Sequence, residues 1–433
     1  MRRASAQTLS IDGPPMSNDA RTLRRDAHRR RVHRQRRFGA FAVLAVIAAI
    51  IAALAGAGGS GEESAKQARA SAAAAAAKRA AEQPPADGGP LAPGYLGGLA
   101  ALWAPANVVA PQPQTASAYL AASKRPGPAG YILIADRGNN RILVVNPEHA
   151  VVFEFPNRAD LRAGRALVFN DDTFVTPGGH SLIANEEDNH AIVEVSLADR
   201  SLRVVFGHPG EAGTDRTHLH TPDDAYTLAD GTVTVADAYN CRIVFIREHR
   251  IVRQIGESGV CRHEPPGHLD PVNGDTPLPD GAVMVSEVNG DFIDEIGPDG
   301  RLLMSVQAPV EYPSDPQPLP GGRILVADYS SPGHILIIDR RGHILWRYGP
   351  SSGYGRLDHP SLAMALPNGN VAVNDDYRHR VVVIDPRTSK IVWQYGHTDV
   401  PGTGAGYLNT PDGMDFVPYG PRGGPDYAAV VHP

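Results

Sequence analysis

A stretch of β-branched residues and polar turns at residues 130–146 recurs, in altered form, five more times before the C-terminus. In the first copy an apolar run ends at Asp136, a short polar turn follows, and Arg141 opens a second apolar run. This pattern predicts two antiparallel strands joined by a tight loop. A repeat period of 40–50 residues with four strands per unit is typical of a β-propeller. The positions matched to Asp136 in the later copies, spaced 41 to 52 residues apart, are Asn185, Asp237, Glu287, Asp328 and Asp375.

A complete repeat unit can be outlined at residues 221–255. Residues 221–228 form the predicted inner strand, and residues 232–237, 242–246 and 251–255 supply the other three strands. The turn between the first two strands carries glycine, which adopts positive φ most easily. Glycines share this turn position in four units: Gly231, Gly281, Gly322 and Gly369.

The first unit lacks its inner strand, because residue 130 starts directly at the second strand. The missing piece lies at the other end of the chain, where residues 410–417 repeat the inner-strand motif with no hairpin after it. A ring closed by strands from both termini accounts for both irregularities and leaves no open sheet edge. We therefore expect an all-β fold, a six-bladed β-propeller closed by N- and C-terminal strands, over residues 119–433.

The N-terminal part of the chain has a different composition. Residues 1–37 form a basic segment with 11 arginines and 3 acidic residues. Residues 38–57 carry no charge and are long enough to span a bilayer as a single transmembrane helix, with the arginine-rich flank in the cytoplasm. Residues 58–118, rich in Ala, Gly and Pro, predict a disordered linker. The alternative is a signal peptide cleaved near the small residues at 53–55. Both interpretations place the propeller outside the cytoplasm.

The net charge of −6 conceals an asymmetry along the chain. Residues 58–433 carry 30 Lys and Arg against 44 Asp and Glu. An acidic exported part argues against nucleic acid as a partner and favours cations or cationic groups. The expected partners are the membrane, through the N-terminal helix, and an unidentified protein or cell-envelope ligand.

Two cysteines, Cys241 and Cys261, occur in the chain, and both lie in the part predicted to be exported. An oxidising compartment permits a disulfide between them, with a contribution of roughly 3 kcal/mol for a loop of this length. Two free, buried cysteines are the alternative.

The repeat, with Pro-Asp, Asp-Gly and Val-Ala-Asp-x-x-Asn-x-Arg-Ile elements, resembles the NHL-repeat family of six-bladed propellers. The similarity is clearest at residues 135–142 and 235–243. The last two blades instead resemble pyrroloquinoline-quinone-type propeller repeats, at residues 383–393 and, more weakly, at 337–339 with Trp346. Both resemblances imply a fold more than an activity, because propellers serve as binding modules and as enzymes.

The turns of a propeller divide between its two ends. One end has short turns, whereas the other, called here the loop face, has the turns between the second and third strands and the long crossovers between blades. Polar, histidine-bearing loops on one face of a rigid ring favour a binding site there. The candidate ligand-face residues are His218, His220, His268, Asp270, Asp358 and His359. His218 and His220 also have the spacing of transition-metal ligands, but packing on the crossover prolines is the commoner role for such histidines.

Acidic residues recur where the inner strands begin. Equivalent positions in a propeller converge on the axis, so these carboxylates are expected to meet and to form an oxygen-rich site of the kind that binds Ca²⁺ or Mg²⁺. The alternative is that each acid caps its own turn. The candidate metal ligands are Asp172, Asp224, Asp315 and Asp412, with Asp171, Asp223, Asp275, Ser314 and Ser361 beside them.

An acid and an arginine five residues apart recur as Asp136/Arg141, Asp237/Arg242 and Asp375/Arg380. Because the pair is repeated around the ring, we interpret it as a structural staple. Catalytic residues more often interrupt a repeat. The interruptions here are Glu287 with Phe292 and an insertion at residues 330–333.

No nucleophile elbow, HExxH motif or phosphate-binding loop is found in the sequence. The expectation is a membrane-anchored, extracytoplasmic propeller that acts as a binding or scaffolding module through its loop face. The second class is an enzyme, either a metal-dependent hydrolase or lactonase that uses the axial acids or an arylsulfotransferase-like enzyme that uses a crossover histidine. A quinone-dependent dehydrogenase is the third.

Overall fold

The structure, a computed structural model, describes residues 127–432. The regular secondary structure of this part of the chain is almost entirely strand. Its one α-helix, α1, spans Arg158–Arg162. The strands in chain order are β1 (Tyr131–Asp136), β2 (Arg141–Val145), β3 (Val151–Phe155), β4 (Asn170–Val175), β5 (Ser181–Glu186), β6 (Ala191–Ser196), β7 (Leu202–Gly207), β8 (Pro222–Thr227), β9 (Val233–Asp237), β10 (Arg242–Arg247), β11 (Arg250–Ile255), β12 (Val272–Pro277), β13 (Val283–Glu287), β14 (Phe292–Ile296), β15 (Leu302–Gln307), β16 (Pro313–Leu319), β17 (Arg323–Asp328), β18 (His334–Ile338), β19 (Ile344–Tyr348), β20 (Ala363–Ala365), β21 (Val371–Asp375), β22 (Arg380–Asp385), β23 (Lys390–Gly396) and β24 (Pro411–Val417).

These strands form six four-stranded antiparallel sheets, the blades of a propeller. Blade 1 has the strand order β24-β1-β2-β3, and blades 2 to 6 follow as β4–β7, β8–β11, β12–β15, β16–β19 and β20–β23. The C-terminal strand β24 pairs with β1, with Tyr131 opposite Val417 and Ile134 opposite Met414. The predicted all-β six-bladed ring, closed by strands from both termini, is confirmed.

The apolar runs of the sequence pack between neighbouring blades. One cluster joins blades 5 and 6 through Leu325, Ile337 and Val373, and another joins blades 3 and 4 through Ile243 and Val285. All five of these side chains are at most 1% exposed. β-branched and leucine side chains on alternate strand positions therefore bury the two faces of each blade, which is the main source of stability in such a ring.

The second-to-third strand turns contain short 3₁₀ segments that repeat around the ring. They span Arg137–Asn139, Glu187–Asn189, Ala238–Asn240 and Asp376–Arg378. A further 3₁₀ segment, Tyr427–Ala429, lies in the tail after β24.

The predicted staples are present in blades 1, 3 and 6. In blade 3, Arg242 Nε donates to Asp237 Oδ2 at 2.7 Å, while Asp237 Oδ1 accepts the backbone N–H of His220 in the crossover at 2.7 Å. Arg141 with Asp136 and Arg380 with Asp375 repeat the contact, each at 2.7 Å. Each staple therefore ties a crossover to the blade that follows it.

One matched position was assigned one residue too early. Glu186, not Asn185, lies opposite the start of the third strand in blade 2, as Asp136 does in blade 1. Asn185 instead donates through Nδ2 to the carbonyl of Asp223, 2.7 Å away in the next blade. Blade 2 has Ala191 where blades 1, 3 and 6 have arginine, so its sequence lacked the basic residue that fixes the register of the motif.

The cysteines of blade 3 are joined, since Cys241 and Cys261 form a disulfide. The predicted basic segment, transmembrane helix and linker, at residues 1–37, 38–57 and 58–118, lie outside the described residues. Within residues 127–432 no helix is long and apolar enough to cross a membrane.

Candidate functional site

The axial acids form two successive layers at the loop-face end of the ring. Strand register makes Asp171, Asp223 and Asp412 equivalent, each one residue after the inner-strand position that pairs with the staple acid. Asp172 and Asp224 follow in the next position. Most inner strands have a register shift at this point, so two consecutive residues turn toward the axis.

The predicted metal set is therefore divided between the layers. Asp412 belongs to the outer layer, nearest the crossovers, whereas Asp172, Asp224 and Asp315 belong to the inner layer. These four side chains are at most 4% exposed. The expected convergence is present, but the four acids do not form one ring.

Arg137 lies among the outer acids. Its guanidinium is 2.5 Å from Glu187, 3.1 Å from Asp188, 3.2 Å from Asp412 and 3.4 Å from Asp171. Burial alone would lower the pKa of Arg137, but the surrounding carboxylates outweigh burial and raise the pKa well above its usual value. Arg137 thus stays charged and joins acids from blades 1 and 2.

The outer layer also contains the closest group of carboxylates on the axis. Oxygens of Asp171, Glu187 and Asp223 all lie within 4.8 Å of one another, and the three side chains are buried. Burial first, and then the negative charges of Asp412 and Glu187, raise the pKa of Asp171 well above its usual value despite Arg137. Four carboxylates, those of Asp171, Glu187, Asp188 and Asp412, thus share one guanidinium, and Asp223 lies beside two of them.

The acids of the inner layer also have raised pKa values. Burial and then the charges of Asp315 and Asp224 raise the pKa of Asp172 well above its usual value. Burial raises the pKa of Asp224 to about 7, although the backbone N–H of Asp275 donates to it. The charge of Asp315 in blade 5 thus raises the pKa of Asp172 in blade 2, so the repulsion acts across the ring.

Glycines make room for the inner acids. A Cβ at Gly274, the residue of blade 4 in this layer, would lie 2.8 Å from Asp315 Oδ1. A Cβ at Gly413 of blade 1 would collide with Asp172 Oδ1. Side chains at these two positions would therefore displace the carboxylates, so the space on the axis is a consequence of the sequence and not of loose packing.

The C-terminal tail lies at the opposite, short-turn end of the axis. His432 Nε2 is 2.9 Å from Asp415 Oδ2, and the His432 ring contacts the edges of Phe174 and Tyr226 at 5.5 Å between centroids. Tyr131 Oη also donates to the carbonyl of Gly423 at 2.6 Å. The loop-face end is consequently the one where the outer acids meet the crossovers.

The predicted ligand-face residues are distributed over three crossovers and make their contacts locally. His218 Nδ1 is 2.9 Å from Asp215, and the His218 ring stacks on His208. His220 contacts the rings of His190 and Tyr239 edge to face. These contacts are typical of packing, the alternative considered for both histidines.

The other candidates have similar surroundings. His268 lies 2.9 Å from Glu257, and the backbone N–H of Asp270 donates to Glu287 at 3.0 Å. His359 lies 2.7 Å from Asp358 and contacts the rings of Tyr329 and Tyr377. The structure does not bring the three crossover pairs together at one point among the described residues.

Sequence reasoning did not single out Arg137 or Glu187 as site residues. Both occupy the first position of the 3₁₀ turn, where blade 3 has Ala238 and blade 6 has Asp376. The signal available in the sequence was the change of residue type at this repeated position, which is charged in blades 1, 2 and 6 and alanine in blade 3.

A surface cleft of about 440 Å³ between blades 2 and 3 opens at the short-turn end, and its Glu194 and Arg203 pair with each other.

Comparisons with known proteins give no family for this chain. No protein family matches the sequence, so the resemblance to NHL-type and pyrroloquinoline-quinone-type repeats is not confirmed, and no curated protein matches it. Solved structures with similar folds include a protein of unknown function from Bacteroides caccae (18% identity, TM-score 0.46), over 66% of this chain and 98% of that one.

Two further similar structures are named as enzymes. A streptogramin B lyase is 14% identical, with a TM-score of 0.45 over 68% of this chain and 85% of the lyase. A putative gluconolactonase is 18% identical, with a TM-score of 0.39 over 55% of this chain and 79% of that one. Similarities this remote carry no functional information, and the assignment of a six-bladed propeller rests on the six sheets themselves.

Proposed function

We propose that this protein is a membrane-anchored, extracytoplasmic binding module that holds a Ca²⁺ ion at the loop-face end of its axis and binds a partner or cell-envelope ligand there. The observation that carries the proposal is the meeting of Asp171, Glu187 and Asp223 within 4.8 Å. Oxygens bound to one Ca²⁺ at about 2.3–2.6 Å are separated by at most about 5.2 Å. The three carboxylates can therefore reach a single ion with little movement.

Charge supports an ion at this place. Four carboxylates surround the Arg137 guanidinium, Asp223 lies beside two of them, and the inner layer adds Asp172 and Asp224. A buried group of like charges must bind protons, cations or both. A divalent cation reduces the repulsion in both layers at once, and Ca²⁺ tolerates the irregular oxygen geometry better than Mg²⁺ does.

The crossovers supply surface chemistry around the ion. Aromatic and histidine side chains form two groups on the loop face, and the half-buried members, His190, His220, Tyr239 and Tyr377, offer ring faces for stacking or for cationic groups. The first group is His190, His220 and Tyr239, and the second is Tyr329, His359 and Tyr377. Together with the acidic composition of residues 58–433, these groups favour a ligand with positive or weakly polar character.

Calcium should stabilise the protein measurably. An ion that binds only the folded state at a hundredfold excess over its Kd adds about 2.7 kcal/mol to the free energy of unfolding, which raises the melting temperature by several degrees. The rise should disappear in Asp223→Asn, which removes one ligand charge with little change in shape. It should persist in Asp299→Asn, a control in an exposed turn. If calcium and a chelator both leave the wild-type melting curve unchanged, the cation proposal is wrong.

The membrane anchor is tested separately. A reporter fused after Pro433 should be active only in the exported compartment, because the arginine-rich flank of residues 38–57 is expected to stay in the cytoplasm. Washing membranes with high salt or carbonate should not release the protein. Reporter activity in the cytoplasm would contradict the proposed orientation, and release by washing would contradict the anchor.

A further inference from the structure

Blade 4 departs from the acid–arginine staple of blades 1, 3 and 6. In blade 3 the two oxygens of Asp237 have separate partners, the crossover N–H of His220 and the guanidinium of Arg242. In blade 4 Phe292 stands opposite Glu287, in the place of the arginine. Glu287 Oε2 accepts the crossover N–H of Asp270 at 3.0 Å, and its Oε1 has no donor in hydrogen-bonding geometry. One half of this buried carboxylate has therefore lost the cation that the repeat provides.

A second buried acid lies beside Glu287. Asp294, on β14, is 0% exposed, and its hydrogen-bonding neighbours are Glu287 and Ser305, neither of which is a cation. His263 approaches both acids from the crossover, with Nδ1 2.9 Å from Glu287 Oε2 and 3.8 Å from Asp294 Oδ2. Burying two carboxylates side by side without a basic partner of the arginine type is costly, so their charge needs another source of compensation.

We propose that His263, Glu287 and Asp294 form a site for a divalent transition metal, with Zn²⁺ as the best-fitting ion. One atom from each residue already lies within 4.8 Å of the other two. Tetrahedral ligands at about 2.0–2.1 Å from zinc are separated by about 3.4 Å, and the two distances from His263 Nδ1, 2.9 and 3.8 Å, lie on either side of that value. A shift of about half an ångström would bring each of these two distances to the zinc value.

The ligand types select the ion. An imidazole nitrogen with two carboxylates suits zinc and its neighbours, whereas Ca²⁺ and Mg²⁺ prefer sites made of oxygen alone. Two negative charges and one dication give a neutral group, which is the balance that the arginine staples achieve elsewhere. The His263 side chain is 24% exposed, so a fourth ligand position can be occupied by water.

Surrounding residues hold His263 in this orientation. The Phe292 ring stacks on the imidazole with 3.6 Å between centroids and 11° between planes. Ser305 Oγ lies 3.4 Å from Nε2, in the place of the outer partner that metal-bound histidines commonly have. The Cys241–Cys261 disulfide fixes the crossover two residues before His263. Phe292 therefore has two effects: it removes the arginine that would balance Glu287, and it holds the His263 ring in place.

Protons are the competing explanation. A protonated His263 could balance one carboxylate, and a proton shared between Glu287 and Asp294 could balance the other. Absorption spectroscopy distinguishes the two explanations. Co²⁺ bound by one nitrogen and two carboxylates in a tetrahedral site absorbs visible light, whereas a protonated site does not.

The experiment uses the full chain, purified without chelator, stripped with a chelator and then titrated with Zn²⁺ and, separately, Co²⁺. We expect one tightly bound ion per chain and a tetrahedral Co²⁺ spectrum. His263→Gln and Asp294→Asn should each weaken the affinity by at least the roughly 10–100-fold that loss of an outer partner costs. Should His263→Gln fold poorly, the wild-type spectrum and Asp294→Asn still decide the question.

Three matched variants locate the ion. His334→Gln removes the histidine that is 3.2 Å from Asp328 in blade 5, where one staple acid stands without a second carboxylate, and should leave affinity unchanged. Asp223→Asn on the axis should also leave it unchanged, so this site and the axial Ca²⁺ site fail independently. Loss of zinc in His218→Gln together with its retention in His263→Gln would assign the ion to the surface group His208, Glu211 and His218 and overturn the proposal. Absence of stoichiometric binding to the wild type would overturn it as well.

Discussion

Two sets of buried carboxylates in this propeller have opposite surroundings. The staple acids of blades 1, 3 and 6 each have an arginine at 2.7 Å, and they recur at the same position in the repeat. The outer axial acids share a single Arg137, which occurs in one blade. In blades 1, 3 and 6 the charge of the repeated acid is therefore neutralised within the blade. Acidic residues that are not part of the repeat lie at the axis and in blade 4. Their negative charge is not balanced by an arginine of the same blade, so a bound cation can compensate it.

Removing an arginine from a regular staple should have the largest effect. Arg242→Met leaves Asp237 buried without its cation, and burial already raises the pKa of that acid. Breaking a buried ion pair from one side costs about 3–5 kcal/mol. We expect a loss of this size in the free energy of unfolding, measured by urea denaturation.

Two controls refine the staple measurement. Arg247→Met removes an exposed arginine that is 3.2 Å from Asp230, and it should cost no more than about 1 kcal/mol. Adding Asp237→Asn to Arg242→Met should restore part of the loss, because the uncompensated charge disappears. Equal costs for the buried and exposed arginines would remove the distinction between staples and ordinary surface pairs.

The fold could be predicted because its determinants are local and repeated. β-branched runs, Asp-Gly turns and a regular period define the strands, and Gly231 has the expected positive φ of 81°. Ring closure followed from a missing strand at one end and a surplus strand at the other. The staples followed from the fixed spacing of acid and arginine, as in Asp237 and Arg242.

The candidate sites were less predictable because they depend on positions where the repeat changes. The register shifts of the inner strands place Asp412 with Asp171 rather than with Asp172, and sequence spacing does not reveal a shift of one residue. Arg137 was overlooked because it occurs in one blade. The group around Glu287 was noticed only as an interruption, since His263 reaches it from a crossover 24 residues earlier.

Protonation links the axial acids to pH in a defined direction. Asp224 has a folded pKa of about 7, and an unfolded aspartate titrates near pH 3.9. The folded state therefore holds a proton that the unfolded chain loses, so this group favours folding fully below about pH 4 and its contribution is lost as the pH rises through about 7. The direction is the same for Asp171 and Asp172, whose pKa values are raised well above normal.

Calcium should replace these protons, and calorimetry measures the exchange. The titration is done at pH 6 in two buffers that differ in their enthalpy of ionisation. If the ion binds at Asp171, Glu187 and Asp223, binding should release about one or more protons, so the heats in the two buffers should differ, and the difference should vanish in Asp223→Asn. Binding heats that are identical in both buffers, or the absence of any binding heat, would contradict the claim that an axial cation displaces protons from these buried acids.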